Sequence, residues 1–251
     1  MMQLFSTIFY QPLFNLLIFF YNVLPGHDLG IAIILLTIFV KVVLFPLSWK
    51  QTEAQYKMQE LQPKLKEMKE QHKDNKEALA LAQIQIFKDH KINPLSSCLP
   101  LLVQFPFLIA LFYVFQNGLK GGEAFSLLYS FIQNPGTLNE TFLGVFSLVS
   151  KNNVLLAVIT AGLQFWFMKI SMTQKDTKKE KEKKNSKDED FATIMNQQMV
   201  LFMPLMTGVM AYQFPNGLGL YWVAQTALSI IQQYGFLLMR KKQSLALQKS
   251  S

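Results

Sequence analysis

Apolar residues in this chain come in long runs, and the charged residues are gathered into the gaps between them. Five runs have about the length a helix needs to cross the roughly 30 Å hydrocarbon core of a bilayer. They cover residues 29–49, 95–117, 152–172, 197–214 and 217–239. The fourth is the shortest and contains Pro204, which neighbouring helices tolerate inside a membrane bundle. Only Phe214-Pro215-Asn216-Gly217 lies between the last two, so a tight turn and a helical hairpin are predicted there. Ahead of these runs, residues 4–24 are aromatic-rich but interrupted by Gln11, Pro12, Asn15 and Asn22. That pattern fits either a sixth span or an amphipathic helix in the interface plane. Recurring polar residues and the lack of any anchoring charge favour the interfacial helix, within an outer segment 1–28.

Segment 50–92 is too polar to insert, yet it is periodic. Met58, Leu61, Leu65 and Met68 recur at helical spacing and give one apolar stripe. His72-Lys73-Asp74-Asn75 breaks the pattern, and Asp74 with Glu77 three residues on predicts a capping box opening a second helix through Phe87. The segment reads as a two-helix hairpin projecting from the membrane. Such hairpins are generic. The stripe is therefore either self-packed or covered by headgroups or a client.

Charge placement gives orientation. Segment 50–92 holds nine lysines, 169–196 holds eight, and the tail from Arg240 holds four basic residues, together 21 of the 24 Lys+Arg. The positive-inside rule puts 50–92, the loop 173–196 and the tail 240–251 in the cytoplasm, with the N terminus and the connection 118–151 outside. The net charge of +8 is then mostly topological. Residues 175–190, with seven lysines and six acids and no apolar side chain, read as a disordered polyampholyte linker. Arg240-Lys241-Lys242 reads as a positive anchor at the interface. No lysine or arginine precedes Lys41, so a cleavable signal is not expected.

Catalytic and metal chemistry find little support. Cys98 is the single cysteine, and His27, His72 and His90 lack ligand spacing. There is no HExxH, GxSxG or P-loop, and the spans hold no carboxylate or histidine for intramembrane hydrolysis. No enzyme activity, cofactor or metal is expected, and the basic residues come without an RNA-binding aromatic motif, so sequence-specific nucleic-acid binding is not expected either.

What the first span does contain is one charge. Lys41 sits inside the first apolar run, where a lysine at mid-membrane costs roughly 2.5–3.5 kcal/mol on insertion scales. Either it snorkels toward the interface near Trp49, or it serves function. Thr37 lies four residues before it on the same helix face. Gln104, Gln164 and Gln225 place one amide in each of three partner spans, either as glue between helices or as lining of a shared wet cavity.

Four stretches resemble the YidC family of membrane protein insertases: 30–51 (GIAIILLTIFVKVVLFPLSWKQ), 58–70 (MQELQPKLKEMKE), 93–112 (NPLSSCLPLLVQFPFLIALF) and 214–233 (FPNGLGLYWVAQTALSIIQQ). Their order and spacing extend the resemblance over about residues 8–240. Two positions depart from the family pattern: Lys41 stands where arginine is usual, and Ser96-Ser97 where two glycines are. The resemblance implies an all-α polytopic protein of five transmembrane helices around a hydrophilic groove open to the cytoplasm, with an interfacial N-terminal helix and the cytoplasmic hairpin at 50–92. It implies the short form, lacking the large extracytoplasmic domain of longer members, in a bacterial plasma membrane. Lys41, Thr37, Gln104, Gln164, Trp222 and Gln225 become groove positions, with Trp222 the aromatic that meets clients. The implied partners are nascent membrane proteins and the bilayer, with the Sec translocon and the ribosome as further candidates.

Two other classes would also use intramembrane lysine and glutamine. A small-solute transporter or channel should show inverted repeats or paired broken helices, which five unlike spans do not suggest. A structural subunit of a membrane complex would spend the same residues on contacts between subunits.

Overall fold

A computed structural model describes residues 2–72, 75–90, 99–116, 122–172 and 191–249. The expected linker at 175–190, Ser96-Ser97 and Cys98 lie outside the described residues. The protein is predominantly helical. A first helix is built from α1 (Met2–Phe5), a π turn (Ser6–Tyr10) and α2 (Gln11–Val23). Next come α3 (Leu29–Val43), α4 (Phe45–Gln71), α5 (Lys76–Asp89) and α6 (Leu99–Gln116). After a 3-10 turn (Gly122–Leu127), the strands β1 (Thr141–Phe142) and β2 (Phe146–Ser147) pair antiparallel. The chain ends with α7 (Val154–Met172), α8 (Phe191–Gln213) and α9 (Asn216–Lys249).

The first apolar run is not one straight span. Its helix ends at Val43, bends by 68° and resumes at Phe45, so residues 45–49 open the long helix of the polar hairpin. Pro46 explains the break. It has no N–H to return to the preceding turn and its ring crowds the carbonyl four residues earlier. Leu44 bridges the two pieces, its N–H on the Val40 carbonyl and its carbonyl receiving Ser48 N.

Asn75 caps the second hairpin helix, and Asp74, the expected cap, lies outside the described residues. The Asn75 side chain accepts Ala78 N at 3.0 Å, and α5 runs on to Asp89. Asparagine is as good an N-cap as aspartate, so three-residue spacing alone does not choose between neighbours. The predicted apolar stripe is only partly covered, with Leu61 buried and Met58, Leu65 and Met68 half-buried.

Among the described residues, α7 alone is long and apolar enough by itself to cross a bilayer; α3 and α4 qualify only as a bent pair. The hydrophobic core is concentrated at one end of the bundle. Phe14, Leu17, Ile18, Leu29, Ile33, Val114, Leu148 and Leu218 are fully buried there, joining α2, α3, α6, the 122–151 connection and the start of α9.

Polar side chains hold this end together. Asn15, buried on α2, donates to the Leu127 carbonyl at 2.9 Å and accepts Tyr129 N at 2.6 Å. Gln11 donates to the same carbonyl, Asn22 to that of Gln133, and the Tyr21 hydroxyl accepts Asn139 N. The polar positions that favour an interfacial helix are thus committed to protein backbone, which a loop without regular elements cannot satisfy alone. Asp28 caps α3 through Ile31 N and also accepts Leu143 N from the strand turn. The α8–α9 turn is tied in the same way: Asn216 N and Gly217 N reach the carbonyls of Ser150 and Leu148. Gly217 has no room for a side chain, since a Cβ there would run into the Phe115 ring.

Candidate functional site

One face of α9 carries a ladder of polar side chains. Tyr221, Gln225, Ser229 and Gln232 are spaced four, four and three apart, so they stack along a single face. The Gln104 amide of α6 donates to the Tyr221 hydroxyl. The Gln225 amide donates to the Gln104 carbonyl oxygen at 3.3 Å. Ser229 donates to the Gln225 backbone carbonyl at 2.9 Å and receives a hydrogen bond from Lys41 Nζ, also at 2.9 Å. Beyond it, Gln232 accepts from the Ser48 hydroxyl and donates to that of Thr52, both at 3.1 Å. The ladder therefore joins α6, α3 and α4 to α9.

Lys41 is half-buried at the end of α3, beside the bend. Its recorded partner is a neutral hydroxyl. An ammonium has three donors, and one of them serves Ser229. No carboxylate pairs with Lys41 among the described residues.

Three of the expected groove positions, Lys41, Gln104 and Gln225, fall on this ladder. The other three do not. Thr37 is buried and turns its hydroxyl back onto the Ile33 carbonyl of its own helix. Gln164 of α7 accepts from Thr226 at 3.4 Å, on a neighbouring face of α9. Trp222 shares that neighbouring face four residues before Thr226, and its ring stacks on Phe214 with centroids 6.2 Å apart. Tyr221, Ser229, Gln232, Ser48 and Thr52 are further members of the ladder that the sequence reading does not single out. The four-four-three spacing on α9 is the signal that points to the first three.

At the root of the hairpin, α4 runs alongside α9. Trp49 and Tyr56 meet Phe236 edge to face, at 5.3 and 5.5 Å between centroids. Arg240 lies over the Tyr56 ring at 4.7 Å and faces Glu60 at 3.8 Å. Glu53 pairs with Lys57 one turn along α4 at 2.8 Å, and that hydrogen bond holds its carboxyl below the usual range.

Comparison with known proteins places these features in a family. A family model described as 60Kd inner membrane protein matches residues 19–244. The membrane protein insertase YidC of Fusobacterium nucleatum is 30% identical over 207 residues, covering 82% of this chain and 85% of the relative. The YidC proteins of Tolumonas auensis and Aeromonas salmonicida are 32% and 33% identical over 89% of this chain, but only 35% of their own length is covered. This chain thus spans most of one relative and about a third of the others. A crystal structure titled "Active YidC insertase crystal structure with the first transmembrane domain resolved" shares the fold. Its TM-score is 0.62 at 22% identity, over 92% of this chain and 46% of that one. These relatives are insertases and not catalysts of a covalent reaction. With a family model over nine-tenths of its length and a 30%-identical relative matched over more than four-fifths of both chains, this chain belongs to the 60Kd inner membrane protein family, the YidC-type membrane protein insertases.

Proposed function

We propose that this chain inserts nascent membrane proteins by receiving their hydrophilic segments along the α9 ladder and releasing their apolar segments sideways into lipid. The observation that carries this reading is Lys41, a half-buried cation whose partner is the uncharged Ser229. A charge so placed attracts an acidic residue of a passing chain without first having to give up an internal carboxylate.

The topology that goes with it has five spans, 1–28 outside, and the hairpin 50–92, the loop 173–196 and the tail 240–251 in the cytoplasm. The helix over residues 2–23 lies at the outer interface, where its exposed Leu4, Ile8, Phe19 and Val23 meet lipid. The packed end of the bundle closes the outer side, and the ladder opens toward the cytoplasm.

A client tail must otherwise cross roughly 30 Å of hydrocarbon, where each unsatisfied backbone group costs several kcal/mol. Amides and hydroxyls at 104, 221, 225 and 229 offer partners along part of that path. Burial of about 20 apolar residues then makes release into lipid favourable, so no nucleotide is required. The membrane potential adds a pull on acidic tails. The partners of this cycle are nascent membrane proteins and the bilayer, with the Sec translocon and the ribosome as further candidates.

The test is insertion by the unaltered protein alone in liposomes, and separately crosslinking to a stalled nascent membrane protein from photoreactive residues placed one at a time at positions 41 and 222. Insertion together with crosslinks from both positions supports the reading. Failure to insert any client, or flux of small solutes in the absence of client, overturns it.

A further inference from the structure

Arg240 lies eleven residues beyond Ser229 on the same continuous helix, α9. Eleven residues make three turns, so Arg240 is on the ladder face, roughly 16 Å further along the axis. Between them Gln232 bridges Ser48 and Thr52, and Phe236 packs under Trp49 and Tyr56. The helix thus presents two cationic positions in line, Lys41 held at Ser229 and Arg240 beyond it.

The two cations have different surroundings. Lys41 meets a hydroxyl, whereas Arg240 meets Glu60. That ion pair is loose, 3.8 Å apart, with the two side chains 36% and 47% exposed. The Tyr56 ring lies beside the guanidinium, 4.7 Å from its carbon to the ring centroid, and the Tyr56 hydroxyl faces both Arg240 and Glu60. A guanidinium beside an aromatic ring, with an exposed carboxylate 3.8 Å away, is open to exchange: an incoming carboxylate can take the Glu60 position through a bidentate fork.

We propose that Arg240, seated on Tyr56, is an entry subsite for acidic residues of client chains, with Glu60 as the internal carboxylate they displace. The proposal rests on the insertase reading above and adds to it a site ahead of Lys41. Acidic residues dock first at the exposed end of the ladder and then move inward to the half-buried cation.

The competition predicts opposite signs for the two partners. The readout is the ratio of insertion for a client with an acidic N-terminal tail to that for the same client with Asn and Gln in its place, using the full chain in liposomes. Arg240→Gln should lower the ratio about two- to fivefold, the size that exposed ion pairs reach. Glu60→Gln frees the guanidinium and should raise it. Both effects should shrink as salt rises from about 0.05 to 0.5 M, since the charges are accessible to ions. If both variants lower the ratio, or neither moves it, the pair is only a clasp between α4 and α9 and the subsite is overturned. A wild-type protein that inserts neither client fails at the function itself, a result distinct from loss of the subsite.

Discussion

Lys41 Nζ donates to Ser229 Oγ at 2.9 Å, so the one charged side chain of the first apolar run is held by an uncharged group on the last helix. Hydroxyl and ammonium together orient the charge without neutralising it. Loss of the charge and loss of its orientation should therefore be separable. Lys41→Ala should lower insertion of clients with acidic tails about tenfold, or ~1.4 kcal/mol, which lies within the range for a unit-charge pair in a half-wet site. Ser229→Ala removes the hydrogen bond that holds Lys41, together with its own bond to the Gln225 carbonyl, but leaves the charge, so its loss should be smaller, about two- to fivefold. Lys41→Arg keeps the charge and should retain insertion. Complete inactivity of that variant would mean that the site requires a compact ammonium and not merely a cation.

The closed end of the bundle makes a separate prediction. A Cβ at Gly217 would enter the Phe115 ring, and both residues are buried where α6 meets the start of α9. Gly217→Ala should destabilise the purified protein by about 1–3 kcal/mol, the usual cost of overpacking, seen as a lower thermal midpoint. An unchanged midpoint would show that Phe115 moves aside freely.

Asn15 tests whether the 122–151 connection depends on the first helix. Its amide holds Leu127 O and its carbonyl holds Tyr129 N. Asn15→Ala leaves that N–H without its partner in a buried setting, at about 1–3 kcal/mol. Limited proteolysis should then cut within 122–151 well before the helices are attacked. A variant as resistant as wild type would show that Gln11, which also reaches Leu127 O, suffices alone.

Much of this arrangement is visible in the chain before any coordinates. The apolar runs locate α3, α6, α7, α8 and α9, and Lys41 stands out against its neighbours because a charge in such a run is costly. Ser229 does not stand out, since a hydroxyl is unremarkable in a helix and gains meaning only from the lysine opposite. The bend at Leu44 hides inside an unbroken apolar run, because hydropathy does not register that Pro46 removes a backbone donor. Asn15 and Asn22 look like polar positions facing headgroups. Their partners are carbonyls and N–H groups more than a hundred residues away, and no local pattern encodes those. Trp222 illustrates the converse. Its place in a recognisable motif marks it as a contact aromatic, but the motif does not tell that Phe214 is the ring stacked beside it.

Gln232 is the hinge point between the ladder and the hairpin. Its carbonyl oxygen takes the Ser48 hydroxyl and its amide reaches Thr52, so one side chain on α9 fastens the first two turns of α4 just past the 68° bend. Gln232→Leu keeps the bulk of the side chain and removes both bonds. Two hydrogen bonds at about 1 kcal/mol each bound the loss of global stability at roughly 2 kcal/mol. The local effect should be larger than the global one, because α4 meets α9 otherwise through the Trp49, Tyr56 and Arg240 contacts alone among the side chains described above. Hydrogen exchange should accelerate over residues 45–61 while α7 and the closed end of the bundle keep their protection. Uniform acceleration across all helices would instead mean that Gln232 supports the whole bundle, and protection unchanged at 45–61 would show that aromatic packing on Phe236 holds α4 without it.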